Sequence, residues 1–193
     1  MKKKIFYNLP EKIFFCKKCV MSNQRPSSIS EFYHTPDRKN GKYLNFDKEG
    51  VCDACRYSEI KQKSINWSQR EKQLIELLDK HRSKDGSFDC IVPGSGGKDS
   101  VYASHILKNK LNMNPLTVTW PPILYTEYGL KNFKNWIDLG GFTNISYRPN
   151  GKLMKLLTKL SIENLLHPFQ TFMLGQKNLA PKIAKKFNIP LVF

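Results

Sequence analysis

The 193-residue chain carries 32 Lys+Arg against 16 Asp+Glu, a formal net charge of +16, with 40% hydrophobic and 12% aromatic residues. That apolar content excludes a wholly disordered basic chain, and the length holds one ordinary domain plus a small appendage but not two large domains. No stretch approaches the ~20 apolar residues of a membrane span, and Asn8, Pro10, Glu11 and Lys12 interrupt any signal-peptide core behind Lys2-Lys3-Lys4, so a cytoplasmic protein is expected.

Residues 1–62 read as an irregular module organised by metal. Four of the five cysteines form Cys16-Lys17-Lys18-Cys19 and, after 32 residues, Cys52-Asp53-Ala54-Cys55. Each Cys-x-x-Cys presents two thiolates from one tight turn, and four sulfurs close a tetrahedral structural Zn²⁺ site. A disulfide framework fits poorly with a chain that has no signal peptide. A single redox motif does not explain two pairs. The intervening span holds turn-rich segments, Arg25-Pro26-Ser27-Ser28 and Asp37-Arg38-Lys39-Asn40-Gly41. Gly50 suits a knuckle turn before the second pair. Lys17 and Lys18 offset part of the site's negative charge.

A linker helix is expected over 63–86. It starts clearly at Trp67, with Ser68-Gln69-Arg70-Glu71 as a capping box. Leu74, Ile75, Leu77 and Leu78 supply its apolar face, and it fades by Lys84-Asp85-Gly86.

Strand and helix then alternate through 87–193. Strands are expected at Phe88–Val92, Leu116–Trp120, Asn144–Tyr147 and Ile189–Phe193. Helices are expected at Lys98–Lys110, Leu130–Leu139, Gly151–Leu160 and Ala180–Phe187, with Pro181 in a first turn. Short apolar strands alternating with helices predict an α/β fold, a parallel sheet with helices on both faces. Cys90, inside the first strand, reads as a small buried hydrophobe. The chain stops on an apolar strand, which suggests an incomplete domain.

The segment richest in chemistry is Pro93-Gly94-Ser95-Gly96-Gly97-Lys98-Asp99-Ser100, which follows the first strand and opens a helix. Its adjacent glycines let backbone N–H groups approach a phosphate. The helix start points positive charge at the same anion. Ser95 and Ser100 add hydroxyls, Lys98 a full charge, and Asp99 a carboxylate for Mg²⁺ or for orienting a donor. Walker A does not fit, because Val92 stands where its first glycine belongs and Asp99 follows Lys98.

Ser95-Gly96-Gly97-Lys98-Asp99-Ser100 resembles the pyrophosphate loop of the ATP pyrophosphatase (PP-loop) superfamily, whose fold is adenine nucleotide alpha hydrolase-like. The match is wider. Cys16-Lys17-Lys18-Cys19-Val20-Met21, Gly50-Val51-Cys52-Asp53-Ala54-Cys55, Ile65-Asn66-Trp67-Ser68, Thr117-Val118-Thr119-Trp120, Tyr125-Thr126-Glu127-Tyr128-Gly129-Leu130-Lys131-Asn132 and Pro149-Asn150-Gly151 occur in order. Together they resemble the N-acetyl sugar amidotransferase family of lipopolysaccharide O-antigen and flagellin glycan biosynthesis. Its members are about twice as long, so the resemblance implies that a C-terminal half is absent.

The resemblance implies an ATP-dependent conversion of an acetamido group on a nucleotide-activated sugar to an acetamidino group. The amide oxygen attacks the α-phosphate of ATP, pyrophosphate leaves, ammonia adds at carbon, and AMP departs. A partner glutaminase supplies the ammonia. Residues Ser95, Gly96, Gly97, Lys98, Asp99 and Ser100 would hold ATP and Mg²⁺, with Lys98 and Asp99 catalytic. Cys16, Cys19, Cys52 and Cys55 would hold zinc. Trp120, Glu127 and Asn132 are substrate candidates, Lys131 and Gln176 weaker ones. Against each stands a plain role: packing for Trp120, a solvated helix start for Glu127, a surface cap for Gln176. His167 reads as a loop residue before an acid–base group.

The charge has two readings. Residues 91–193 hold 13 basic and four acidic side chains, which suits ATP and an anionic substrate. Yet 26 of the 32 cations are Lys and six are Arg, a skew that composition alone can produce. A PP-loop tRNA-modifying enzyme is the alternative, since such enzymes also join cysteine knuckles to this loop; the absence of cysteines after residue 90 and the few arginines count against it. A non-catalytic fragment is the third reading.

Overall fold

A computed structural model describes residues 10–25 and 44–193, and the chain divides into two compact units, Met1–Arg70 and Glu71–Phe193. The turn-rich segment Asp37–Gly41 and all but Arg25 of the earlier one lie outside the described residues.

The first unit is less irregular than its sequence suggests. Two isolated antiparallel bridges, Phe15 with Ser22 and Phe46 with Cys52, frame the cysteine pairs. Helix α1 then runs Asp53–Ser64, almost wholly within the 1–62 stretch expected to be irregular. It buries no residue, which explains why no apolar period announced it. The linker helix starts at Trp67 as expected: Ile65 and Asn66 separate it from α1, and α2 spans Trp67–His81, ending just before the expected fade at Lys84. Its start is held by Asn66, whose Oδ1 accepts from Gln69 N at 3.0 Å, and not by the Ser68 capping box. Asn is as good a cap as Ser, and it comes first.

The second unit is α/β, with four strands in an all-parallel sheet. The strands are β1 (Cys90–Pro93), β2 (Pro115–Thr119), β3 (Asn144–Ser146) and β4 (Leu191–Val192), in the order β3-β2-β1-β4. Helices α3 (Lys98–Asn109), α4 (Glu127–Asp138), α5 (Gly151–Leu165) and α6 (Gln170–Phe187) connect them. Ile91 lies opposite Leu116 on one side and Val192 on the other, which fixes the register around the central strand.

Both faces of the sheet are covered. On one, Cys90 and Val92 meet Leu78 of α2, Leu107 of α3 and Trp136 of α4. On the other, Ile91, Leu116 and Val118 meet Leu179 and Ala180 of α6. Alternation along β1 sends successive residues to opposite faces, so a strand buried on both reads as a continuous apolar run. Trp136 also donates from Nε1 to Ser104 Oγ at 2.7 Å, which satisfies its buried polar atom. Ile75 and Leu77, expected on the apolar face of α2, are largely exposed.

Two further expectations about helices change. Pro181 lies deep in α6 and not in a first turn, because the helix starts ten residues before Ala180, the start expected from sequence. Within the helix it cannot donate to the carbonyl of Lys177. The leucines of α5 at 153, 156, 157 and 160 do share one side, but all four are exposed. Among the described residues, no helix is long and apolar enough to cross a membrane.

The order of strands matters for function. From β1 the chain proceeds outward through β2 and β3, then returns to place β4 on the other side of β1. The connections therefore diverge at the carboxyl end of β1, where open α/β sheets form a crevice for ligands.

Candidate functional site

The four paired cysteines converge. Their sulfurs all lie within 4.8 Å of one another, with Cys19 Sγ 3.7 Å from Cys52 Sγ and Cys16 Sγ 4.0 Å from Cys55 Sγ. A tetrahedron with Zn–S bonds of ~2.3 Å has edges of about 3.8 Å, so the donor set fits zinc with little adjustment. Backbone geometry sets this up. Cys16 N donates to Met21 O at 2.8 Å and Lys17 N to Gly50 O at 3.1 Å, which ties the first knuckle to the second turn. Gly50 takes φ +82°, and Asp47 Oδ1 accepts from Val51 N at 2.8 Å just before Cys52. These backbone bonds hold the Asp47 carboxyl below its ordinary range.

The electrostatics suit a dication. Burial opposes ionisation of Cys16, but N–H groups of Cys52, Lys18 and Cys19 outweigh it and lower its thiol to about 6. Cys55 moves the other way, to about 12, through hydrogen bonding with Cys19 and Cys52 and then burial. Four thiols this close do not ionise together unless a cation neutralises them. Cys52 is the N-cap of α1, so the second knuckle leads directly into that helix. Val51, Met21, Leu44 and Phe46 pack around the cluster. The arrangement is closed, with four protein donors, which is the donor set of structural zinc sites.

Cys90 stands apart. It is fully buried in β1, and burial raises its thiol far above the ordinary value. It is packing material.

The glycine loop lies at the carboxyl end of β1, in the crevice the topology creates. Gly94 N donates to Val118 O at 2.9 Å and so anchors the loop to β2. A Cβ at Gly94 would collide with Ser100 and come within 2.9 Å of Trp136 Cη2. Gly96 takes φ +83°, and a Cβ there would lie 2.7 Å from the backbone nitrogen of Phe133. Around Gly97 a Cβ would meet nothing within 4 Å, so that side of the loop is open.

The start of α3 has no side-chain cap. Gly97 is its N-cap and has none to offer, whereas Thr126 caps α4 and Asn150 caps α5. Among the described residues, the N–H groups of Ser95, Gly96, Gly97 and Lys98 have no acceptor. Four unpaired donors at a helix start, on a loop with two adjacent glycines, form a nest that suits an anion. Ser100 Oγ donates to Gly97 O at 3.0 Å and tightens this turn. Lys98 and Asp99 are exposed beside it. Gly96→Ala is expected to lower the stability of the chain by about 2 kcal/mol or more, through positive φ and the Phe133 contact, measured by urea unfolding. Gly97→Ala, at φ −73° in open space, should be near neutral.

The structure gathers some candidates here and leaves others out. Asn132 and Phe133 of α4 run against Gly96, so Asn132 stands exposed next to the loop. A cavity of about 240 Å³ opens beside it, lined by Ser95, Trp120, Gln176 and Lys177 among others. Trp120 is also packed. Its ring stacks on Tyr147 at 5.6 Å and 30°, Gly175 of α6 is pressed against it, and its buried Nε1 has no acceptor among the described residues. A second cavity of about 480 Å³ shares Trp120 as a wall. Glu127 and Lys131 line neither cavity. Glu127 is the exposed first residue of α4. His167 sits in the turn between α5 and α6, away from both cavities, with its Nδ1 buried and unpartnered among the described residues.

Sequence reasoning missed Gly175, Lys177, Arg148 and Lys155. A glycine in mid-helix was the available signal for the first, marking close approach by a large side chain. Arg148 lies two residues past the end of β3, where ligand-facing residues concentrate.

No family model matches the chain. An uncharacterized protein of Methanocaldococcus jannaschii is 35% identical over 80 residues, which covers 42% of this chain and 28% of that protein. The chain therefore aligns with about a quarter of the length of that relative.

Proposed function

We propose that the chain is an ATP pyrophosphatase-type enzyme of the PP-loop fold, acting as an N-acetyl sugar amidotransferase with a structural zinc site. One observation carries the reading. The loop Ser95–Ser100 offers uncapped N–H donors at the start of α3, at the carboxyl end of β1 where the sheet's connections diverge. That geometry suits the β- and γ-phosphates of ATP.

The loop donors and Lys98 disperse the charge that grows on pyrophosphate as its bond to the α-phosphate breaks. Asp99 is the carboxylate that would hold Mg²⁺, which would supply further neutralisation of phosphate charge. The acceptor's amide oxygen attacks the α-phosphate and pyrophosphate departs. The adenylated oxygen is then a good leaving group. Ammonia adds at the carbon, AMP leaves with that oxygen, and one proton is released. A glutaminase partner supplies ammonia in this scheme. Zinc on Cys16, Cys19, Cys52 and Cys55 would take no part in the reaction and would hold the two knuckles together.

The test is an incubation with Mg-ATP, ammonium and a panel of nucleotide-activated acetamido sugars. The expected product has one oxygen replaced by NH, with one AMP formed per product. ATP consumption only in the presence of tRNA would assign the loop to the tRNA-modifying alternative.

A further inference from the structure

Helix α5 carries an apolar row that no described residue covers. Leu153, Leu156, Leu157 and Leu160 repeat at the spacing of one helix face, and each is 38–53% exposed. The side of α5 that packs is a different one. Ser161 is buried there, its Oγ donating to His167 O at 2.7 Å, and Met154 and Thr158 are half-buried. Met154 and Thr158 also line the larger cavity, so the leucine row lies on the far side of the helix from it. The row is flanked unevenly. Lys152 and Lys159, each one residue before a leucine of the row, run along one shoulder and are exposed. The other shoulder holds Leu157 and Asn164 and carries no charge. Lys152 has no carboxylate partner among the described residues, and Lys159 has only Glu163 of its own helix, at 3.7 Å in an exposed pair of little energy.

Charge decides what fits this face. A second copy of α5 does not. Laid antiparallel, it sets Lys152 and Lys159 against the same two lysines; laid parallel, it sets them against Leu157 and Asn164, which offer no counter-charge. Residues 1–9 and 26–43, outside the described part, hold six Lys+Arg and two Asp+Glu, so they do not supply it either. A helix lying on lipid carries cations along both shoulders of its apolar row, and here one shoulder is neutral. We propose that α5 is the docking face for a separate protein, which lays an amphipathic helix on residues 153–160 with Asp or Glu along the edge that meets Lys152 and Lys159. The proposal is independent of the chemistry assigned to the glycine loop.

The experiment uses the full chain and two fluorescein-labelled helical peptides with the same leucine row, one flanked by Glu and the other by Lys. Fluorescence anisotropy should show the Glu peptide binding about tenfold more tightly than the Lys peptide, with the difference narrowing as salt is raised. Leu156→Ser/Leu160→Ser should weaken the Glu peptide by about a hundredfold. Both leucines are exposed, so the fold should hold, and circular dichroism checks this. Lys152→Glu/Lys159→Glu should invert the preference, so that the Lys peptide binds about tenfold more tightly than the Glu peptide. No binding, equal affinity for the two peptides, or a preference that survives the lysine exchange would overturn the proposal. The chain alone should sediment as a monomer and should not bind phosphatidylglycerol vesicles through this face. A dimer that Leu156→Ser/Leu160→Ser dissolves would give the face to a second copy, and vesicle binding that the same variant abolishes would give it to a membrane; either result would also overturn the proposal.

Discussion

Replacing Cys16 or Cys52 by serine should reduce zinc from one ion per chain to nearly none. Both residues are buried in the cluster, and Cys16 Sγ also accepts N–H groups from Lys18 and Cys52 at 3.3 Å. The loss therefore removes a metal ligand and an organiser of both knuckles. Apparent zinc affinities of structural cysteine sites are about 10–16 kcal/mol near neutral pH, far more than the few apolar contacts of this unit supply. The Met1–Arg70 unit should lose its hydrogen-exchange protection. Chelation of the unmodified chain should do the same, reversibly. Cys90→Ala is the control. It lies in the sheet, so it should lower stability through lost packing while zinc content stays at one. Elemental analysis of the purified variants reads the zinc contents, and hydrogen exchange and urea unfolding read the rest.

Replacing Lys98 by alanine should cut AMP formation by about a hundredfold to a thousandfold, the range for removing one donor to a developing oxyanion. Asp99→Ala should act through Mg²⁺ and show partial recovery as Mg²⁺ is raised. Neither residue packs into the core, so unfolding midpoints should stay unchanged. Zinc content should not move either. This separates loss of chemistry from loss of structure, because Gly96→Ala would depress both activity and stability through its contact with Phe133.

Much of the fold was legible. The order of strands and helices after residue 87 follows from apolar runs punctuated by glycine, asparagine and proline, and each of the four expected strands has a counterpart. What the sequence hid was structure that buries little. Helix α1 has no buried face and so left no period to read. The first half of α6 was missed because Gly175 and Pro181 both argue against helix, yet Gly175 is there to receive Trp120. The cysteine cluster was legible because metal chemistry demands particular residues at particular spacing, and the sulfurs do meet. The glycine motif was legible for the same reason, though the divergence of connections that makes its position meaningful depends on the strand order. The larger cavity was invisible. Its cations come from the loop after β3 and from α5, its apolar walls from loops, α5 and α6, and no single segment announces it.

The central claim is that ATP is cleaved between its α- and β-phosphates on the loop Ser95–Ser100. The most direct measurement follows ATP labelled at the α-phosphate, with Mg²⁺, ammonium and an acetamido-sugar nucleotide. Labelled AMP with an equal amount of pyrophosphate, lost in Lys98→Ala, is the expected result. Labelled ADP with inorganic phosphate, or AMP formation that Lys98→Ala leaves intact, would contradict it.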